Sequence, residues 1–501
     1  MAQARFVSAD EAAARIPDGA VVSISGAWMN LPDRILAAVG KRFLETGKPA
    51  GLTAIYALCP GGTEDQPGIE HLAHAGLLRR VIGGSFPNLP HSRLRALIHG
   101  DAIEAYNLPA GWIGAWFREV GARRPGLLTR AGLATFLEPG NGGGRMNQRT
   151  TRDILSVVEL DGARHLFFPG FPVEVSLIRA TTADEDGNLT AEEESGVTTS
   201  FVQAAAARAS GGVTIAQVKR VVRAGALHPH QVKVPGTLVD FVVVDERQLQ
   251  AGGIAYDPAL CGESRRELTP ERLGTDAERW LAARALRVIR PDDVVVLGYG
   301  VSAYVPYLLL EQGRFETARF AVEHGSTGGL PLVEFGFGSS VNPQAILDAA
   351  SQLELFQGGC FDLALLSFLQ VDARGRVNVH RLDARPHLSA GIGGFLDIAS
   401  GAPRLAFVGF FSAGGLELDV SGDTLRIVRE GKSVKFVSAA EYVSFDPAYG
   451  NAAEVLYITE RCTFRWRDGR LVVVEAAPGV DVNRDVVARL EFAVDAQLAR
   501  E

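Results

Sequence analysis

A chain of 501 residues that is 47% hydrophobic, 22% charged and 8% aromatic has the composition of a globular protein, not of a disordered, collagenous or disulfide-scaffold one. That length is too much for one core and predicts two or three domains. The net charge of −8 argues against a nucleic-acid or anionic-membrane partner, because both need clustered positive charge, and leaves room for a small anionic ligand held in one basic pocket.

The N-terminus places Asp10 and Glu11 where a secretory signal would be apolar, and there is no uncharged apolar run of 18 or more residues, so neither export nor membrane spanning is expected. Cys59, Cys261, Cys360 and Cys462 lie far apart with no metal-type spacing, which predicts no metal site, no disulfide framework and a cytoplasmic location. Gly19–Ser25 reads as a buried strand, and Pro32–Gly47 as a helix opened by Pro and closed by Gly. Strand and helix then alternate through the strands Leu52–Leu58, Gly212–Val218, Val239–Val244, Asp293–Leu297 and Arg404–Phe411. That alternation predicts an α/β protein with mostly parallel sheets, since parallel strands need helical crossovers.

The chain also resembles itself. Ala20–Gly26 followed by Pro32 matches Val294–Gly300 followed by Pro306, and Val175–Leu189 lines up with Leu363–Val377. Each member of the second pair ends a strand in a D-x-x-G turn, Asp184 to Gly187 and Asp372 to Gly375, in which Asp caps and Gly supplies the positive φ. Two homologous α/β domains in tandem are expected, over residues 1–265 and 276–501, with the polar stretch Gly262–Asp276 between them.

Three stretches carry candidate chemistry. Gly298-Tyr-Gly300 with Ala303 after a strand, and Glu323 about twenty residues later, fits a dinucleotide fingerprint, which would make the chain an NAD-dependent dehydrogenase. The same Glu323, at a strand end among small residues, also suits a nucleophile that attacks a thioester carbonyl. Gly391-Ile-Gly393-Gly394-Phe395, in the stretch that begins at Ser389, either bares backbone amides to an oxyanion or forms a plain tight turn. His324 is discounted as a loop histidine, Glu193–Glu194 as a solvated or capping run, and Arg145 and Lys233 as surface charges.

Glu104–Pro109, Gly142–Asn147, Ala183–Thr190, Val232–Gly236, Val322–Gly325, Gly391–Phe395 and Tyr457–Arg461, in one order along one chain, resemble the class I coenzyme A transferases of the fused single-chain type. The resemblance implies that Glu323 is the residue that carries CoA as a glutamyl thioester, and that Gly393 and Gly394 supply oxyanion-hole amides. It implies substrate-binding positions at Trp28, Asn30, Ala110, Gly391 and Phe395. The family's glutamine after Leu-Pro is replaced here by Ala110, which has no side-chain donor, and its GGF-type turn by Gly26-Ala27-Trp28-Met29-Asn30. Trp28 and Ala110, with Trp112 and Trp116 nearby, predict a roomy apolar acyl pocket. The implied reaction is ping-pong transfer of CoA from an acyl-CoA to a small carboxylic acid by a homo-oligomer, dimer or tetramer, with no permanent cofactor. An acyl-CoA hydrolase using the same glutamate and a non-catalytic ligand-binding module are the remaining alternatives.

Overall fold

A computed structural model describes residues 4–87, 89, 91–385 and 390–497. Each half of the chain builds its own parallel sheet. In the first, the spatial order runs Arg5–Phe6, Phe241–Val244, Val213–Val218, Val175–Arg179, Val21–Ile24, Leu52–Tyr56, Leu78–Gly83 and Glu104–Asn107, with every neighbouring pair parallel. The second centres on Glu454–Ile458, Arg404–Val408, Leu363–Leu366, Val294–Leu297 and Arg319–Ala321, again all parallel. Antiparallel strands extend its two flanks, Cys462–Arg467 beyond one and Ser326–Thr327 beyond the other. These central strands read as nearly continuous apolar runs because helices cover both faces of a parallel sheet.

The helix expected near Pro32 runs from Asp33 to Thr46, with Gly47 as its left-handed C-cap. The two D-x-x-G turns also form as read. Asp184 Oδ1 accepts the amides of Asp186 and Asn188, Asp372 Oδ1 those of Arg374 and Arg376, and Gly187 and Gly375 sit at φ +83° and +77°. Each turn belongs to a short strand, Thr182–Asp184 or Gln370–Asp372, in a small separate sheet and not to the long strand before it. Residues 261–275 contain no strand or helix.

The halves are fused by packing as well as by chain. One apolar cluster includes Ile113, Trp116 and Phe117 of the Ala110–Gly121 helix together with Ala350, Leu353 and Phe356 of the Ala349–Gln357 helix. Gly114 faces Ala350 at the crossing, where an added Cβ would lie 3.1 Å from the alanine methyl. The Glu193–Glu194 pair is not a solvated run. Glu194 is buried in a two-pronged pair with Arg179, both arms at 3.0 Å, and Glu193 binds Lys219 and Arg220. A charge that deep is tolerated only with its partner in place.

Candidate active site

In both sheets the chain leaves the central strand pair in opposite directions, Val21–Ile24 beside Val175–Arg179 and Val294–Leu297 beside Leu363–Leu366. Ligands of open α/β sheets bind outside the carboxyl ends of strands at such switch points. A cavity of about 260 Å³ lies there, lined by residues that directly follow strands: Ala27 and Trp28, Cys59, Gly298 and Tyr299, Glu323 and His324, and Ser367. The segment 390–395, Phe335, Phe337 and Ile398 also line it, with Ser85 and Phe86 of the first half and Val379 of the second.

Glu323 stands on a tight reversal after the strand Arg319–Ala321, where the Val322 amide donates to the Ser326 carbonyl at 3.0 Å and Gly325 donates back to Val322 at 3.3 Å. Its carboxylate Oε2 accepts the Gly394 amide at 2.6 Å. Burial pushes its pKa up to about 7, while the Gly394 donor pulls in the other direction by favouring the charged form. Gly394 has to be glycine: a Cβ would collide with Glu323 Oε2 and lie 2.8 Å from Leu353 Cδ2. Burial also pushes His324 down to about 4, so its imidazole is neutral at pH 7, and its Nδ1 has no hydrogen-bond partner among the described residues.

The glycine loop comes from the second half but is moored on the first. Phe86 donates to the Ala390 carbonyl at 2.9 Å, Gly393 to the Gly84 carbonyl at 2.7 Å, and Ile392 to Asn107 Oδ1 at 3.0 Å. The Gly393 amide is therefore spent on Gly84, which corrects the expectation of two bared amides; Gly394 alone faces Glu323. Gly391 and Phe395 line the cavity, and Ser389 lies outside the described residues.

Two expected binding positions are elsewhere. Asn30 is fully buried off the cavity, where its Oδ1 accepts from Thr198 and Ser200 and its Nδ2 donates to the Arg179 carbonyl. Ala110 is buried beneath the loop, and its contribution is a backbone amide donated to the Gly393 carbonyl at 2.9 Å. Trp112 and Trp116 are core residues at 1% and 0% exposure and do not line the cavity. Trp28 does line it, stacked on His324 with ring centres 6.5 Å apart and edge-on to Phe335 at 5.9 Å. Tyr299, Phe335 and Phe337 complete that aromatic wall, and no Lys or Arg side chain lines the cavity among the described residues. Arg145 pairs with Asp153 at 3.0 Å, and Lys233 is exposed.

Sequence reasoning missed Phe335 and Phe337, which sit in no motif, and gave no role to the buried Asp397, although it lies two residues beyond Phe395 in the glycine stretch. Tyr299 was within reach, since it lies between the two glycines of the Gly298–Gly300 turn.

A family model described as coenzyme A transferase matches residues 6–245. The chain is 36% identical to the caffeate CoA-transferase of Acetobacterium woodii over 503 residues, covering 98% of this chain and 94% of that one. It is 33% identical to the acetate CoA-transferase YdiF of Escherichia coli K12, over 97% and 92% of the two chains. The crystal structure of the YdiF apoenzyme from E. coli O157:H7 superposes with a TM-score of 0.91 at 31% identity, over 99% of this chain and 95% of that one. The thioester complex of the same enzyme with CoA superposes at 0.90 and 30% identity.

The chain belongs to the coenzyme A transferase family, in its single-chain form, and is an enzyme of the CoA-transferase type. The dinucleotide reading of Gly298, Gly300 and Glu323 gives way to that membership. No described helix is long and apolar enough to cross a membrane.

Proposed function

We propose that the enzyme transfers CoA from an acyl-CoA to a carboxylic acid through a thioester on Glu323, and that the acyl groups it accepts are monocarboxylic and apolar. The observation that carries the reading is the Glu323 carboxylate in the cavity wall, held by the Gly394 amide.

Ionised Glu323 attacks the thioester carbonyl, and the C–S bond breaks to release the CoA thiolate and leave a mixed anhydride. The thiolate then attacks the Glu323 carbonyl carbon, the C–O bond to the acyl group breaks, and the free carboxylate departs, leaving glutamyl-CoA. An acceptor carboxylate runs the same steps in reverse, and no net proton is consumed. When the glutamyl carbonyl is attacked, negative charge gathers on the oxygen that already meets the Gly394 amide, so this donor is in place before the step that needs it. The half-buried setting that raises the Glu323 pKa also keeps water from the reactive acyl intermediates.

Selectivity follows from the lining. A second carboxylate on the acyl group would enter a cavity that has no Lys or Arg side chain among the described residues and a neutral His324, a burial of charge those residues do not compensate. Rings or long apolar groups find Trp28, Tyr299, Phe335 and Phe337. The caffeate CoA-transferase relative, whose named substrate carries a ring, supports this preference. We place the boundary between the two domains in residues 262–275, where neither sheet has a strand.

Trapping tests the mechanism. Incubation with acyl-CoA, then borohydride and peptide mass spectrometry, is expected to convert Glu323 alone to the corresponding alcohol. An unmodified Glu323 peptide in enzyme that is turning over defeats the covalent route. Rapid release of free CoA without an acceptor acid would instead mark a hydrolase.

A further inference from the structure

Behind the glycine loop lies a second buried carboxylate. Asp397 is 0% exposed, does not line the cavity, and sits in the first turn of the helix Phe395–Gly401 that begins at Gly394. Its Oδ2 accepts the Gly111 amide at 2.8 Å and its Oδ1 accepts Gln357 Nε2 at 2.7 Å. Gly111 is the second residue of the helix Ala110–Gly121, whose N-cap is Pro109, a residue with no side chain able to cap. The acceptor that this helix lacks locally therefore comes from the other half of the protein. The fit is close, since a Cβ on Gly111 would stand 2.6 Å from both Asp397 Cγ and Oδ1. One residue earlier, the Ala110 amide holds the Gly393 carbonyl, so a single helix start grips the loop at both ends.

We propose that Asp397 is a positioning residue for transfer: by capping the Ala110–Gly121 helix across the two halves, it fixes the loop that aims the Gly394 amide at Glu323. The proposal rests on Glu323 being the nucleophile. Burial raises the Asp397 carboxyl to about 7, opposed by its Gln357 and Gly111 donors and reinforced by Glu323. The other titratable groups around the pair are His324, Tyr299 and Cys59 on the cavity wall. On the two packed helices, Arg118 pairs with Glu354 at 2.7 Å and faces Asp348 at 3.6 Å.

Asp397→Asn tests this closely, because it keeps the volume but turns an amide donor towards one of two existing donors. The expected result is a tenfold to hundredfold fall in kcat with KM for acyl-CoA unchanged within about twofold, the split of a lost positioning contact and not of lost substrate binding. Gly111→Ala, which pushes the carboxylate off the helix start, is expected to lower kcat at least tenfold with the same split, and it serves if the Asn variant does not fold. Wild-type kcat in either folded variant overturns the proposal, as does a loss carried by KM alone in folded Asp397→Asn. Borohydride trapping on the wild type separates the two readings: an unlabelled Glu323 in active wild type removes the nucleophile itself, whereas normal labelling with unaffected variants removes only Asp397.

Discussion

At the carboxyl end of the strand Leu52–Tyr56 the chain continues through Ala57, Leu58 and Cys59; at the end of its counterpart Arg319–Ala321 it continues through Val322, Glu323 and His324. Both strands lie just outside the switch pair of their own sheet, and both deliver a side chain to the same cavity. The first delivers Cys59, whose Sγ contacts the Gly61 carbonyl at 3.5 Å and whose thiol is pushed far up by burial, so little thiolate exists at neutral pH. The second delivers a carboxylate whose charge is held by a main-chain amide. Equal topology thus yields two equivalent strand ends and one carboxylate held by an amide. The difference lies in the donor: the glycine loop of the second half crosses to the first, and its amide meets Glu323 alone.

The strongest way to break this comparison is to remove the carboxylate. Glu323→Ala is expected to lower kcat by at least about a thousandfold, the scale on which loss of a covalent nucleophile is felt. Cys59, still in the wall, would not substitute for it. Steady-state transfer assays on folded variant measure this, and turnover near wild type would show that the chemistry resides elsewhere. Gly394→Ala comes next. Its methyl overlaps the Glu323 carboxylate and must displace either the loop or the side chain. A loss of about a hundredfold to a thousandfold in kcat is expected, in line with removal of one oxyanion donor. An unimpaired Gly394→Ala enzyme would mean that the amide contributes nothing to the glutamyl steps.

The same carboxylate gives a stability prediction of opposite sign. With a folded pKa of about 7 against an ordinary 4.5, Glu323 binds its proton more tightly in the folded state. Its ionisation therefore costs nothing near pH 4, costs progressively more from 4.5 to 7, and costs its full amount above 7, up to about 3 kcal/mol. Glu323→Gln keeps an acceptor for Gly394 and sheds the charge. Urea unfolding of the half that contains it is expected to shift to higher denaturant at pH 8 and to be unchanged near pH 4. Activity runs the other way, with wild-type kcat/KM rising tenfold per pH unit up to about pH 7. A Gln variant no more stable at pH 8 than at pH 4, relative to wild type, would show that Glu323 is not held in a charge-averse site.

The strands, the Asp33–Thr46 helix and both D-x-x-G turns were legible because each is set by local apolar spacing or by one Asp and one Gly a few residues apart. The position of Glu323 was legible for the same reason: it follows a strand in a run of small residues. The spending of the Gly393 amide was not, because its acceptor is Gly84, more than three hundred residues away. Asn30 and Ala110 misled in a related manner. The family resemblance placed them at the substrate, whereas tertiary packing turned Asn30 into a buried clamp on Thr198, Ser200 and Arg179, and left Ala110 acting through its backbone. Trp112 and Trp116 show the limit of proximity along the chain, since helical spacing from Ala110 carries both into the core.

The smallest expected effect concerns Trp28, which the first half contributes to the wall beside Tyr299 and Phe335. Trp28 is partly exposed and touches the rings of Tyr299, Phe335 and His324, so its removal opens space in the cavity and leaves Glu323 and Gly394 in place. Trp28→Ala is expected to reduce kcat/KM about tenfold for ring-bearing acyl-CoA substrates and hardly at all for acetyl-CoA, since an apolar pocket contact is worth about 1–3 kcal/mol and the small acyl group never reaches it. A panel of thioesters matched in CoA and varied in acyl size measures the split. Equal losses across the panel would place Trp28 in general support of the fold, and the aromatic wall would then be a packing feature of the junction between the halves and not a selector of substrate.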